Sequence, residues 1–575
     1  MKGIRKHAIL AVGTLVAVHA ASLSASGQAL SAGAQSAVAQ AAAAQPADAG
    51  PTVRQLSVDE VLELALENNL DIQVERINPQ IQDLAIVQTR ANWTPNLTTD
   101  FSNNSSSTPP NSFLSGSQTT LESNTLGASF GVEQEVPWGG GAYSVAWNSS
   151  RNTTNNEFSN FDPTLRSNLN VSFFQPILRN FRIDNTRQQL LITQNNREIS
   201  DVDLQGTIAA TSRNVENAYW DLVFARSNLA VQQQSLELAE QTLRDNRTRV
   251  EVGTMAPIDI VEAQAEVARN EEAVIVAQAL IQDAEDQLRA LIFDPSQPDF
   301  WNVQIEPTDT PNIEPMVVNI DSAVGTALAN RTDLTRERRS LDNTDVNIRY
   351  FRNQTLPQLD LGVILNAQGL GGTQLIRGEG FPGPIIGANQ RSYADVLQDL
   401  AGFDFPTWTV QLAISYPIGT SPADASLARA RLQRTQSARN IDNLELQVAT
   451  EVRQIGRQVR TNLQRVDATR AARELAEQRL DAEQKKFAVG LSTSFQVFQA
   501  QRDLAQARNN ELRSQLDYAK SRVDFDAVQR APLSGGGASG AGGNAFTAQP
   551  NTGATFGTQG FNTGAGGGGG GGGQP

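Results

Sequence analysis

One short stretch occurs twice in the chain, and that repetition constrains the fold more than any other feature. The first copy is Val252-Gly253-Thr254-Met255-Ala256-Pro257-Ile258-Asp259-Ile260-Val261-Glu262-Ala263-Gln264-Ala265. The second is Val489-Gly490-Leu491-Ser492-Thr493-Ser494-Phe495-Gln496-Val497-Phe498-Gln499-Ala500-Gln501-Arg502. Val-Gly and Ala-Gln recur in register, as do the apolar positions between them. Upstream, Leu238-Ala239-Glu240-Gln241 recurs as Leu475-Ala476-Glu477-Gln478, so both matches are 237 positions apart (253 to 490, 241 to 478). Asp59, Ala65-Leu66, Asn68, Asp71, Pro95 and Leu97 recur as Asp321, Ala327-Leu328, Asn330, Asp333, Pro357 and Leu359, each pair 262 positions apart (59 to 321). The chain therefore reads as an internal duplication, residues 57–292 and 319–530, joined by a Pro-rich linker at 293–318. The two offsets differ by 25 (262 against 237), so repeat 1 holds that much extra chain between its Pro-x-Leu and its long helices.

Within each repeat the hydrophobic period changes. A short amphipathic helix is expected from Ser57, with Glu60 at the capping-box spacing, and the helical pattern runs to about Ala91. Alternation then takes over, predicting strands within about 97–176 in repeat 1 and 359–417 in repeat 2. Leu126, Ala128, Phe130 and Val132 alternate with Gly and Ser; Tyr143, Val145 and Trp147 follow, and Trp408, Val410, Leu412 and Ile414 form the matching run in repeat 2. Segments 102–124, 148–167 and 368–407, rich in Ser, Asn, Gly and Pro, read as long loops, whereas Pro137-Trp138-Gly139-Gly140-Gly141 reads as a short turn. Long loops on one side and short turns on the other suit an outer-membrane barrel, and Trp93, Trp138, Trp147 and Trp408 fall near strand ends, where interface aromatics sit. Ordinary strand packing accounts for such aromatics equally well.

Beyond the strands the chain is helical for a long way. Residues 185–251 contain no Pro and a single Gly, Gly206; at 1.5 Å per residue they make a helix about 100 Å long. Residues 424–489 match them, with Ile441, Leu444, Val448, Val452, Ile455, Val459, Leu463 and Val466 spaced three or four apart. That spacing lets long helices pack side by side with slight supercoiling. Shorter helices at 257–292 and 495–530 return along them. Gly253 and Gly490 supply the left-handed residue that ends the long helices, and Pro257 is acceptable in a first helical turn.

Composition removes whole classes of function. The chain has no Cys, and its only histidines, His7 and His19, lie in a segment with a basic start (Lys2, Arg5, Lys6) and an apolar stretch from Ile9 to Ala21. Residues 1–29 read as a secretory signal peptide, and 30–56 as a flexible leader. No nucleophile–base pair or metal cluster is visible, so neither an enzyme, a cofactor nor a metal site is expected. Loss of the three basic residues would take the net charge from −15 to −18, unsuited to nucleic-acid binding. No later run approaches the roughly 18 apolar residues of a membrane-spanning helix, so a membrane crossing needs strands in a closed barrel. Residues 531–575 are a Gly-rich tail expected to be disordered.

This order of parts (signal peptide, short helices, Pro-x-Leu, strands ending at Gln175-Pro176-Ile177-Leu178, long helix, Val-Gly turn, return helix, then all of it repeated) resembles the TolC-like outer-membrane efflux family over residues 57–530. The resemblance implies an α+β membrane protein in which a homotrimer closes one outer-membrane β-barrel, surrounded by lipid and continuous with a long periplasmic α-helical barrel. It implies a passive exit duct of a tripartite efflux or type I secretion system. The partners would be a periplasmic adaptor (membrane fusion) protein and an inner-membrane transporter of the RND or ABC type. Val252, Gly253, Thr254, Val489, Gly490 and Leu491 match the adaptor-docking tips. The family's gate acids lie six and nine positions after the second tip glycine, where this chain has Gln496 and Gln499; repeat 1 has Asp259 and Glu262 there. Together with Phe487 these form a candidate periplasmic gate, charged on one repeat and bulky on the other. The extra 25 residues either extend an external loop above a 12-strand barrel or enter the wall to give 18. An adaptor-like protein or a structural coiled-coil envelope protein are the alternatives. The first should carry one hairpin rather than two; the second leaves the alternation of helices with strands unexplained.

Overall fold

The computed structural model of the chain describes residues 52–112, 118–298, 300–381 and 383–533. The expected signal peptide, nearly all of the leader and the tail from 534 lie outside the described residues. In chain order, repeat 1 forms β1 (Thr52–Leu56), α1 (Val58–Asn68), α2 (Leu70–Ala91), β2 (Asn96–Thr108), β3 (Leu121–Glu135), β4 (Ala142–Thr154), β5 (Phe161–Pro176), α3 (Asn185–Glu251) and α4 (Ile258–Ile292). After β6 (Val303–Pro307) come α5 (Ile320–Asn330), α6 (Thr332–Gln354), β7 (Gln358–Arg377), β8 (Ile385–Arg391), α7 (Tyr393–Gly402), β9 (Pro406–Ser415), α8 (Pro422–Ala488) and α9 (Ser494–Val528). Among the described residues no helix is long and apolar enough to cross a membrane.

The duplication is visible in the packing. Each repeat has its own core, built from its short first helix, the middle of its long helix and the end of its return helix. Ala65, Val215, Leu222 and Leu288 are buried in one, and Ala327, Val452, Val459 and Phe525 occupy the same repeat positions in the other. The junction of the two short helices repeats as well. The Asn69 side chain caps α2, accepting from the amides of Asp71 and Ile72, and donates to the Leu291 carbonyl at 3.1 Å. Its counterpart Arg331, with a buried guanidinium, donates to the Val528 carbonyl at 3.4 Å and pairs with Asp333 and Glu451. Asn69 is also why the expected continuous helix breaks into α1 and α2.

The leader and linker contain structure that the sequence did not announce. Residues 52–56, expected to be part of the flexible leader, form β1, which pairs in parallel with β6 of the linker. Two strands of five residues are too short for a legible alternation. They hold because α3 and α4 satisfy their carbonyls: Tyr219 donates to Leu56 at 3.1 Å, Arg226 to Ile305 at 2.7 Å and Arg289 to Val303 at 2.7 Å. Leu56, Val303 and Ile305 are buried against the first core.

The other seven strands form one antiparallel sheet, with β2-β3-β4-β5-β7 in that order. β9 pairs with the helix-proximal half of β7, residues 358–367, and β8 with its distal part, residues 372–377. The three expected long loops are corrected. β2 runs to Thr108, β4 to Thr154 and β7 to Arg377, and the end of β7 together with β8 and α7 occupies most of 368–407. Their distal halves are Ser-, Asn-, Thr- and Gly-rich on both faces, so composition mimics a loop while the ladder continues. Trp93 and Trp138 lie in turns at the helix end of the sheet; Trp147 and Trp408 lie in strands.

Removal of the Tyr219 hydroxyl tests the clasp on β1. This hydroxyl also accepts from the Asp309 amide at 3.1 Å. Tyr219→Phe is expected to lower stability by about 1–3 kcal/mol in chemical unfolding, with faster amide exchange confined to 52–56 and 303–309.

Candidate functional site at the helix tips and the strand wall

Both helix hairpins turn in the same way. Gly253 (φ 78°) and Gly490 (φ 79°) take the left-handed conformation, and their amides donate to Val250 and Phe487 at 3.0 and 3.1 Å. The following amides, of Thr254 and Leu491, reach back to Arg249 and Lys486, both at 2.9 Å. A Cβ on either glycine would meet nothing within 4 Å, so the dihedral alone demands glycine. Val252, Val489 and Leu491 are each about 70 % or more exposed, with Ile258, Val261 and Phe495 also exposed beside them. The tips thus present apolar side chains to solvent.

The tips of the two repeats are joined to each other. The Ser494 hydroxyl, buried at the start of α9, donates to the Asp259 carboxylate at 2.8 Å. The Arg249 guanidinium lies 4.6 Å over the Phe487 ring, a cation–π geometry. About two turns further in, Arg502 of α9 pairs with the buried Glu266 of α4 at 2.9 Å. At the same level Gln501 donates to Thr242 at 3.0 Å, and higher up Arg508 donates to Gln234 at 2.6 Å, tying α9 to α3. Arg508 also meets Glu477; burial pushes the Glu477 carboxyl up, but Arg508 and Arg473 outweigh it and hold it below the usual glutamate value. Glu483 is held low by the Ser492 hydroxyl and then by Lys486.

The expected gate residues therefore fall into two groups. Asp259 and Phe487 meet partners from the opposite repeat. Gln496 completes the capping box of α9 with Thr493, and Gln499 donates to Asp503 at 3.2 Å and accepts from Arg502 at 3.1 Å. Glu262 is exposed on α4. Ser494, Arg249 and Arg502, which make contacts between repeats near the tips, were missed by the sequence reading; no local pattern marks them.

At the other end, the sheet has one apolar and one polar face. The register places Leu97 beside Val132, Val145, Val171, Leu365 and Trp408, one from each of β2, β3, β4, β5, β7 and β9. Phe101, Phe130, Trp147, Leu169, Val363 and Val410 share that face. Phe101 packs edge-on to Phe130, and Phe130 stacks on Trp147, each with centroids 5.5 Å apart. The opposite face carries Asn148, Asn168, Asn170, Asn366 and Gln368, with Asp100, Glu133, Glu135 and Asp360 toward the helices. α7 covers the distal end of the apolar face. Val396 closes over Gly369, where a Cβ would come within 2.3 Å of the Val396 carbonyl oxygen, and Tyr393 is 2.7 Å from Ser149. Among the described residues no group of three or more His, Cys, Asp or Glu could hold a metal ion.

A sheet with one apolar and one polar face, standing on hairpins of long helices, is the layout expected of an outer-membrane channel built from strands and helices together. A family model described as outer membrane efflux protein matches residues 140–292 and 323–528, more than half of the chain. The chain belongs to the outer membrane efflux protein family. Solved structures share the fold. The CmeC outer membrane channel of Campylobacter jejuni is 15 % identical, with a TM-score of 0.58 over 82 % of this chain and 85 % of that one. The outer membrane protein VceC of Vibrio cholerae is also 15 % identical, with a TM-score of 0.57 over 83 % and 96 %. The open state of the MtrE outer membrane channel of Neisseria gonorrhoeae has a TM-score of 0.55 at 15 % identity, over 83 % and 89 %. No curated protein matches the chain significantly.

If Asp259 and Ser494 act as one bond, Asp259→Ala, Ser494→Ala and the double variant should raise basal single-channel conductance in planar bilayers to the same extent. Additive increases would show that the two residues act separately.

Proposed function

We propose that the chain is one protomer of a homotrimeric exit duct in the outer membrane of a Gram-negative bacterium, serving a tripartite efflux or type I secretion assembly. The observation that carries this reading is the sheet of two opposed faces set on α3 and α8, each 67 residues and about 100 Å long. The ten residues of β9 match the roughly 9–11 needed for a tilted strand to cross a bilayer. The polar face lines the lumen and the helices cross the periplasm. The duct is passive, and energy comes from an inner-membrane transporter of the RND or ABC type through a periplasmic adaptor. A secretory signal at 1–29 delivers the chain to the envelope, and 57–292 and 319–530 are its two efflux repeats.

The adaptor docks on the exposed apolar tips, Val252, Gly253 and Thr254 in one repeat and Val489, Gly490 and Leu491 in the other. The gate lies directly behind them. Asp259 serves as a latch to Ser494, and Phe487 under Arg249 supplies bulk. Gln496 and Gln499 hold the start of α9, and Glu262 supplies the free charge. The acids at the helix end of the polar face, Asp100, Glu133, Glu135 and Asp360, favour cations at the base of the wall.

Gly253→Pro combined with Gly490→Pro tests tip docking. Proline is fixed near φ −65° and has no amide hydrogen, so it removes both the left-handed turn and the hydrogen bond at each tip. The double variant is expected to reach the outer membrane as trimer and to lose efflux in a strain lacking the native duct. Normal efflux at matched protein level would count against docking at the tips.

A further inference from the structure

We infer that the wall this chain builds has 18 strands, with β9 of each copy pairing edge to edge with β2 of the next and the β3–β4 hairpin a full member. The inference rests on the trimeric reading above and adds to it the closure and the width. The occupant of both open edges is a second copy of this chain.

Four observations lead there. First, β2 and β9 are the two edges of the sheet at the level of its apolar band, 13 and 10 residues long, and every residue of both is exposed. Leu97, Phe101, Trp408, Val410, Leu412 and Ile414 on these edges stand 57–73 % exposed. An apolar strand set in hydrocarbon with one row of unpaired amides and carbonyls is not viable, so each edge needs a strand partner. Second, direction fits. β2 leaves the helices after α2 and β9 returns to them before α8. Between copies they run antiparallel, like every other neighbouring pair in the sheet.

Third, β3 and β4 are wall, not loop. β3 pairs with β2 from Leu121 to Glu133 and with β4 from Ser123 to Glu135. Its apolar face continues that of its neighbours, through the Phe101–Phe130–Trp147 contacts. Closure by only four strands per copy would require either β9 to displace β3 from β4 or β2 to displace β4 from β5, along a whole ladder in each case. Fourth, the circumferences agree. Beneath the sheet the helices pack in the order α2-α3-α6-α8, four per chain. Twelve helices spaced about 9–10 Å apart make a ring of about 110–120 Å. Strands spaced about 4.8 Å apart and tilted about 40° give about 110 Å for 18 of them and about 75 Å for 12. The six-stranded sheet is therefore as wide as the helical layer that carries it.

The chain has no Cys, so introduced thiols are the only ones present. Thr99→Cys on β2 is combined in turn with Trp408→Cys, Val410→Cys and Leu412→Cys on β9, scanning the unknown stagger. Each pair is oxidised in native outer membranes and resolved on denaturing gels, beside native mass spectrometry of the unoxidised protein. The expected result is a mass of three chains, and covalent dimers and trimers for at least one double variant but for neither of its single variants. A parallel series replaces Thr99→Cys by Val145→Cys on β4. Cross-linking of β9 to Val145→Cys in a three-chain particle would overturn the 18-strand wall while leaving the trimer intact. Three-chain particles with no link in either series would equally overturn edge pairing of β9 with β2. A mass of two chains would instead sink the trimeric reading, since two such sheets close a 12-strand wall.

Discussion

Lipid offers no hydrogen-bond partner to a peptide group, and this constraint shapes the strand-bearing half of the molecule. Each strand must lie between two others, so a chain that contributes only part of a wall must leave two edges for its neighbours. Each strand must also show one face to hydrocarbon and the other to water. The register meets the second demand across β2, β3, β4, β5, β7 and β9 without a break. That continuity separates β3 and β4 from a surface hairpin, which would have no reason to align Phe130, Val132, Val145 and Trp147 with the apolar positions of older neighbours in the duplication.

The helical half obeys a different rule. Helices satisfy their own backbone, so their length is limited only by what their side chains can bury. Two small cores, equivalent by duplication, anchor α3 and α8 near the middle. Toward the tips a small apolar cluster of Leu480, Val497, Ala500 and Leu504 packs α8 against α9 within repeat 2, while the contacts between repeats are largely polar: Gln501 with Thr242, Arg502 with Glu266, and finally Ser494 with Asp259. Such contacts are directional and individually modest. The tips can therefore separate by breaking a few hydrogen bonds, while the middle stays packed. Local opening at one end of a stable rod is what the proposed periplasmic gate requires.

How much of this was legible in the sequence depended on the range of the interaction. Helices α3, α4, α8 and α9 could be placed from spacing and from two tip glycines, because both signals are local. The extent of the strands was not legible. Their distal halves carry Ser, Asn and Gly on both faces, so nothing alternates, and 148–154 and 368–377 resembled loop. β1 and β6 were hidden because their stability comes from Tyr219, Arg226 and Arg289 on distant helices. At the tips the sequence separated a charged repeat from a bulky one. The structure instead couples them, Asp259 to Ser494 and Arg249 to Phe487, across 235 and 238 positions respectively. Contacts of that separation leave no trace in one sequence.

The central claim is that the β3–β4 hairpin stands in the membrane wall with one face to lipid and one to the lumen. Single nitroxide labels on β4 of the reconstituted protein, one at a time at 143–148, test it most directly, since no native thiol interferes. Collision with oxygen, which concentrates in lipid, and with a water-soluble nickel chelate should alternate with a period of two. Labels at Tyr143, Val145 and Trp147 should be oxygen-accessible, and those at Ser144, Ala146 and Asn148 nickel-accessible. Uniform nickel accessibility along β4 would place the hairpin outside the membrane and contradict the account.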